Sequence, residues 1–213
     1  AAATAAGVTT LPTCLVKPAL TEGPYFVDEM LNRSDIRADP STGTVKDGAP
    51  LALTIRISQI NGTACVPLAG AQVDIWHCDA LGVYSDATDR SFNTKGQKFL
   101  RGYQVSDANG AVAFMTIYPG WYPGRATHIH FKIFTDEKTV LVGQTFFPEA
   151  LNEFIYTNLP AYTGRKRARA VLNVIDGVAI QAAPNPLSFL PGKVAATRHV
   201  APLPLARPAQ PPP

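Results

Sequence analysis

"LALTIRI", residues 51–57, places Leu51, Leu53, Ile55 and Ile57 on one side of an alternating pattern and Thr54 and Arg56 on the other. Successive side chains of a strand point to opposite faces, so this is how a strand with one buried face reads. Four more short runs rich in β-branched and aromatic residues follow: "AQVDIWHC" (71–78), "AVAFMTI" (111–117), "THIHFKIF" (127–134) and "TVLVGQTFF" (139–147). Between them lie "KDGAP", "SDANG", "YPGWYPG" and "TDEK", and Asn109-Gly110 is a strong tight-turn pair because both residues tolerate positive φ. Many short strands joined by Gly/Pro turns predict an all-β fold, an antiparallel sandwich or barrel, rather than alternating β and α units. Helix is expected only over "PEALNEFIYTNL" (148–159), with Pro148 near its first turn.

The 213 residues, 46% hydrophobic and 16% charged, suffice for one well-buried core. The expected organisation is an N-terminal arm (1–20), one β domain (21–183) and a proline-rich tail (184–213) that docks on the body or on a neighbouring subunit. That tail holds nine of the nineteen prolines and is expected to form no regular element. A formal charge of +3 is too mild for a nucleic-acid binder. The densest basic cluster, "GRKRARA" (164–170), reads as a solvated end of an element. The chain has no uninterrupted apolar run of about 18 residues, so no membrane span is expected. It begins "AAATAAGVTTLPT", small residues of the kind that follow a signal-peptidase cut, which points to a secreted or periplasmic protein. Cys14, Cys65 and Cys78 allow one disulfide and one free thiol in three pairings; Cys65 and Cys78 flank the turn "PLAGA" and are the preferred pair.

In "THIHFKIF" the alternation sends His128 and His130 to the same side of a strand, about 6.5 to 7 Å apart along it, within reach of one metal. The rival reading is a surface or hydrogen-bonded histidine pair. With four histidines and three cysteines in the chain, a tetrahedral Cys/His zinc site is poorly supplied, and the nearest acids, Asp136 and Glu137, fall in a turn. Tyrosines are better placed. Tyr122 lies six residues before His128 on a Pro/Gly-rich loop, and Tyr84 lies in a second loop, "DALGVYSD", after the strand "VDIWHC". Two phenolates with two imidazoles favour ferric over ferrous iron, because phenolate is a hard anionic oxygen donor.

These residues carry a resemblance to a known family. "TEGPYF", "PLAGAQVDIWHCDALGVYSD", "FLRGYQVSDANGAVAFMTIYPGWYPGRATHIHFKIF" and "VGQTFFPE" resemble the intradiol ring-cleavage dioxygenases of the catechol and protocatechuate type, over roughly residues 14–160. The resemblance implies an antiparallel β-sandwich with Tyr84, Tyr122, His128 and His130 as ligands of a non-haem Fe(III). It also implies that Arg125 and Gln144 line the substrate position, and that Tyr25 is a pocket-lining residue. The implied reaction inserts both atoms of O2 into a catechol-type diol to give a cis,cis-muconate-type product. Tyr122 would be the ligand that departs as substrate enters, and Arg125 would stabilise negative charge building on the ring.

Tyr118 is also close but directly follows the strand "AVAFMTI" and does not fit the family's tyrosine position. His77 reads as packed or hydrogen-bonded, Tyr103, Trp76 and Trp121 as core or pocket wall, and His199, in the tail, as no ligand. Against the resemblance, the long N-terminal helical segment by which catechol-cleaving members dimerise is not expected, and the loop from Tyr122 to His128 is short. An open site that accepts bulkier catechols is therefore expected, and a homodimer stays open. The rival functions are a non-catalytic β-sandwich binding module with an aromatic platform, and a zinc hydrolase using His128 and His130.

Overall fold

The computed structural model describes residues 18–61, 64–136, 138–165 and 168–182, and the backbone of 194–202. Most of the expected N-terminal arm, Cys14 and the remainder of the tail lie outside the described residues. In chain order the elements are β1 (Pro50–Asn61), β2 (Ala64–Pro67), β3 (Gln72–Trp76), β4 (Thr88–Asp89), β5 (Phe92–Asn93), β6 (Arg101–Val105), β7 (Ala111–Ile117), β8 (His128–Thr135), β9 (Lys138–Phe146), α1 (Glu149–Asn158), α2 (Pro160–Thr163), α3 (Ala179–Ala182) and β10 (Val194–Pro202).

Two antiparallel sheets form the body. In the first, β1 pairs with β10 on one side and with β2 and β7 on the other; the second has the order β6-β3-β8-β9. Leu51, Leu53, Ile55 and Ile57 of β1 and Val112 and Phe114 of β7 meet Val73 and Ile75 of β3 and Ile129, Phe131 and Ile133 of β8 in one core. Burying each such Leu or Ile stabilises the fold by about 1.5–3 kcal/mol. Gly143 of β9 lies opposite Phe131, and a Cβ there would collide with the Phe131 ring, so the glycine makes room for it. The all-β expectation and the helix at 148–159 hold, and the sheets are those of a sandwich.

Three expectations are corrected. Val194–Pro202 forms β10, so the tail does contain a regular element: its prolines cluster at either side of "VAATRHVA", which can complete a ladder with β1. The preferred cysteine pair is not made: Cys65 is disulfide-bonded, whereas Cys78 is free and buried. Cys65 sits in β2 of the first sheet, and Cys78 follows β3 of the second, where it packs with Trp76 and Tyr84. Nor is "GRKRARA" simply solvated. Arg165 lies over the Trp121 ring, 3.9 Å from its centroid, and Arg169 pairs with Glu149 at 2.6 Å.

What matters for function is the outer face of the second sheet. Because Ile129, Phe131 and Ile133 face the core, His128, His130 and Lys132 face away from it, as Asp74 and Trp76 do on β3. That face is not left to solvent. The segment from Leu20 to Phe26 runs across it, bonding Val142 O through Leu20 N at 2.9 Å, Lys132 through Glu22 at 2.7 Å and packing Phe26 on Trp76 at 4.8 Å between centroids. Residues 128–131 are consequently buried on both faces.

Candidate metal centre

Two loops bring tyrosines over the start of β8. In the first, the Asp79 carboxylate accepts from the amides of Leu81 and Val83, both at 3.0 Å, and Gly82 takes φ +85°, so the chain after β3 turns tightly. Tyr84 follows, its carbonyl held by the Thr94 hydroxyl at 2.6 Å. The second loop, between β7 and β8, leans on the first: the Gly120 amide donates to Asp79 O at 3.1 Å, and a side chain at Gly120 would collide with the Asp79 and Ala80 carbonyls. This contact sets Tyr122 beside Tyr84, ring centroids 5.6 Å apart.

The structure brings Tyr84, Tyr122, His128 and His130 together. The two imidazole Nε2 atoms lie 3.0 Å apart, and Tyr84 Oη is 3.5 Å from His128 Nε2. Tyr122 packs edge-on to His128 at 5.6 Å. Tyr118 is elsewhere: its hydroxyl donates to Asn152 at 2.7 Å and its ring packs on Phe147. His77 is buried, with Nδ1 at 2.8 Å from Cys78 O and Nε2 at 2.7 Å from Thr116. The side chain of His199 lies outside the described residues.

The electrostatics of the four groups suit a multivalent cation. His128 Nδ1 lies 2.6 Å from Ala126 O, which can only accept, so Nδ1 carries the proton and Nε2 presents a bare lone pair toward His130. Burial, followed by the Arg125 charge, pushes the His128 pKa down to about 3, and burial beside His128 pushes that of His130 well below its ordinary value. Both rings are therefore neutral at physiological pH, the form in which an imidazole can ligate a metal. Burial raises the pKa of Tyr84 and of Tyr122, so either phenol gives up its proton only to a strong positive neighbour. Among the described residues no group of three or more His, Cys, Asp and Glu is placed to hold a metal, which leaves the phenols as oxygen donors. Two imidazole nitrogens with two phenolate oxygens suit Fe(III) better than zinc or Fe(II).

The other expected residues line the same place. Arg125 Nη1 points at Tyr122 Oη at 3.4 Å, and Nη2 donates to Gln144 Oε1 at 2.5 Å. Gln144 stands opposite His130 in the β8–β9 ladder, and its amide donates to Thr21 O at 3.0 Å. Tyr25 stacks on Tyr84 with centroids 4.5 Å apart, and its hydroxyl donates to Asp89 at 2.6 Å. Sequence reasoning missed Asp176, which pairs with Arg125 Nε at 2.8 Å across 51 residues of chain, and gave no role to Trp76 beyond a wall. Asp176 has no local signal; only the fold makes it a neighbour. Trp76 was within reach of the alternation, which puts it on the same sheet face as His130.

A protein-family model described as "Dioxygenase" matches residues 21–170. The protocatechuate 3,4-dioxygenase beta chain of Burkholderia cepacia is 32% identical over 120 residues, 52% of this chain and 51% of that protein, so the chain spans about half the length of this curated relative. Among solved structures, an intradiol ring-cleavage dioxygenase from Tetranychus urticae matches with a TM-score of 0.67 and 35% identity, covering 78% of this chain and 80% of that one. The dioxygenase domain of a dioxygenase carbohydrate-binding protein fusion from Streptomyces sp. SirexAA-E matches with a TM-score of 0.50 and 29% identity, covering 83% and 92%. On the family match and these likenesses, the chain belongs to the intradiol ring-cleavage dioxygenase family.

Proposed function

We propose that the chain cleaves catechol-type aromatic diols between their hydroxyl-bearing carbons, placing both atoms of O2 in a cis,cis-muconate-type product, with non-haem Fe(III) held by Tyr84, Tyr122, His128 and His130. The observation that carries this reading is the convergence of the His128 and His130 Nε2 atoms, 3.0 Å apart, with the Tyr84 hydroxyl 3.5 Å from one of them. Bound there, ferric iron would supply the Lewis acidity that draws electron density from the diol ring and makes it open to O2.

The protein's own groups account for the rest. Tyr84 is fully buried beneath Tyr25, whereas Tyr122 is half-buried on its loop, so Tyr122 is the phenol with freedom to give way to an incoming diol. Its raised pKa makes the freed phenolate oxygen a good acceptor for a diol proton. Arg125, 3.4 Å from that oxygen, is placed to hold negative charge developing on the diol, and a guanidinium keeps its charge throughout. Gln144 fixes the Arg125 fork from the other side.

The test is oxygen uptake by iron-loaded protein against catechol, protocatechuate, hydroxyquinol and methylcatechols, with absorption spectra recorded alongside. Expected are a reddish protein, from tyrosinate-to-Fe(III) charge transfer, and one O2 consumed per diol. A colourless protein that takes up zinc in preference and consumes no oxygen would overturn the reading in favour of a hydrolase or a binding module. Tyr84→Phe and His130→Ala are each expected to lose iron and colour, and a fully coloured, fully active His130→Ala protein would remove that ligand assignment.

A further inference from the structure

We propose that Asp176 is the positioning residue of this site, the group that aims the Arg125 guanidinium; the inference rests on the function proposed above. Asp176 lies beyond the residues matched by the family model, in the stretch leading into α3. Its side chain is fully buried, and both carboxylate oxygens are used. Oδ2 accepts from Arg125 Nε at 2.8 Å and from the Ala126 amide at 2.7 Å; Oδ1 accepts from the amides of Val178 at 2.8 Å and Ala179 at 2.9 Å, with Arg125 Nη2 at 3.4 Å.

Each of those bonds leads to the centre. The Arg125 plane, anchored at Nε, turns Nη1 toward Tyr122 Oη and Nη2 toward Gln144 Oε1. The peptide whose N–H is gripped belongs to Ala126, and the Ala126 carbonyl fixes His128 Nδ1 at 2.6 Å. An arginine beside Gly124, in a loop with no secondary structure, has many rotamers to choose from. A buried carboxylate on its Nε selects one, through a charge-assisted bond of defined geometry. Docking the C-terminal stretch does not by itself call for Asp176, because Asn173 already ties that stretch to Glu149 Oε1 at 2.6 Å and to Phe147 O at 2.8 Å.

Asp176→Asn tests the assignment. Every carboxylate oxygen here accepts at least two N–H groups, so an amide –NH2 in either position faces donors and one side of the clamp must open. In the full chain loaded with iron, kcat for the diol is expected to fall about 10- to 100-fold, with KM little changed and with iron and colour kept. In an Arg125→Ala background the same substitution should cost far less than in the wild type, because its main route to the reaction, the guanidinium, is already gone. A second readout needs neither iron nor diol. In iron-free protein the Arg125 Nε–H resonance, identified by its loss in Arg125→Ala, should be protected from exchange, and the protection should vanish in Asp176→Asn.

Unchanged kcat, losses that add in the double variant, or a still-protected Nε–H each overturn the proposal. If Asp176→Asn does not fold, Asp176→Glu, which keeps the charge and shifts it by one methylene, is expected to lower kcat with iron retained; wild-type kcat there overturns it too. Wild-type protein inert toward every diol would overturn the proposed function, while the exchange measurement still decides whether Asp176 holds Arg125.

Discussion

The Trp76 indole lies flat on the His130 imidazole, with ring centroids 4.8 Å apart and planes 9° from parallel. The two residues are register partners across the β3–β8 ladder, and Gln144 stands opposite His130 on the other side. Among the described residues His130 Nδ1 is buried without a hydrogen-bond partner, whereas His128 Nδ1 is anchored by a carbonyl. The orientation of one imidazole is set by a hydrogen bond and that of the other by stacking.

Trp76→Leu should therefore loosen His130, the one donor on whose ring Trp76 stacks. Iron affinity is expected to drop about 10- to 100-fold, the range for losing a support behind a metal ligand, while Trp76→Phe, which keeps an aromatic face, retains most of it. Chelator-competition titration of both variants checks this; equal affinities would show that stacking does not orient the ring.

Gly23 approaches the same imidazole from the covering segment. It takes φ +74°, and a Cβ there would lie 3.2 Å from His130 Cε1. Gly23→Ala is expected to cost about 1–2 kcal/mol from the left-handed backbone, and to weaken iron binding by pressing on the ring. Thermal unfolding with and without iron separates the two effects, since only the second narrows the gap between holo and apo transitions.

Asp74, on the same outer face, carries a pH dependence. Burial raises its carboxyl to about 6, against a partly offsetting hydrogen bond from Gln72, with Asp28 adding to the rise. A folded-state pKa above the unfolded value of about 4 means that the folded protein binds the proton more tightly. The favourable contribution is full below about pH 4 and is lost as pH rises to about 6, above which the buried charge is a constant penalty. Asp74→Asn should raise unfolding stability on the order of 1–3 kcal/mol at pH 7 and give no gain at pH 4. Denaturant unfolding at both values tests this, and a gain of equal size at pH 4 would contradict the titration account.

Cys78 is free, buried, and its thiol pKa is raised, first by burial and then by Asp79. Since the thiolate is the reactive species, Cys78 should resist a thiol reagent in the native protein and react on addition of denaturant. Mass mapping of the labelled peptide measures it, and native-state labelling at Cys78 would show that the pocket around Trp76 and Tyr84 opens.

Much of this was legible in the chain because strand alternation is local. "LALTIRI" declared its buried face, and "THIHFKIF" declared that His128 and His130 share one. The short pieces were not legible: β2 and β6 offer few residues to alternate, and β10 was hidden among prolines. The cysteine pairing failed for a related reason, since nearness in sequence said nothing about which sheet each cysteine joins.

The sequence by itself determined the class of fold, the strand bearing two imidazoles on one face, and the pair of tyrosine loops, all consequences of residue periodicity and turn chemistry over a few positions. Tertiary structure alone decided that the outer sheet face is covered by residues 20–26, that Trp76 rests on His130, and that Asp176 reaches back to Arg125. Those relationships depend on strand register and loop packing between segments up to about a hundred residues apart, such as Glu22 and Lys132, and no local pattern encodes which distant side chain fills a given space.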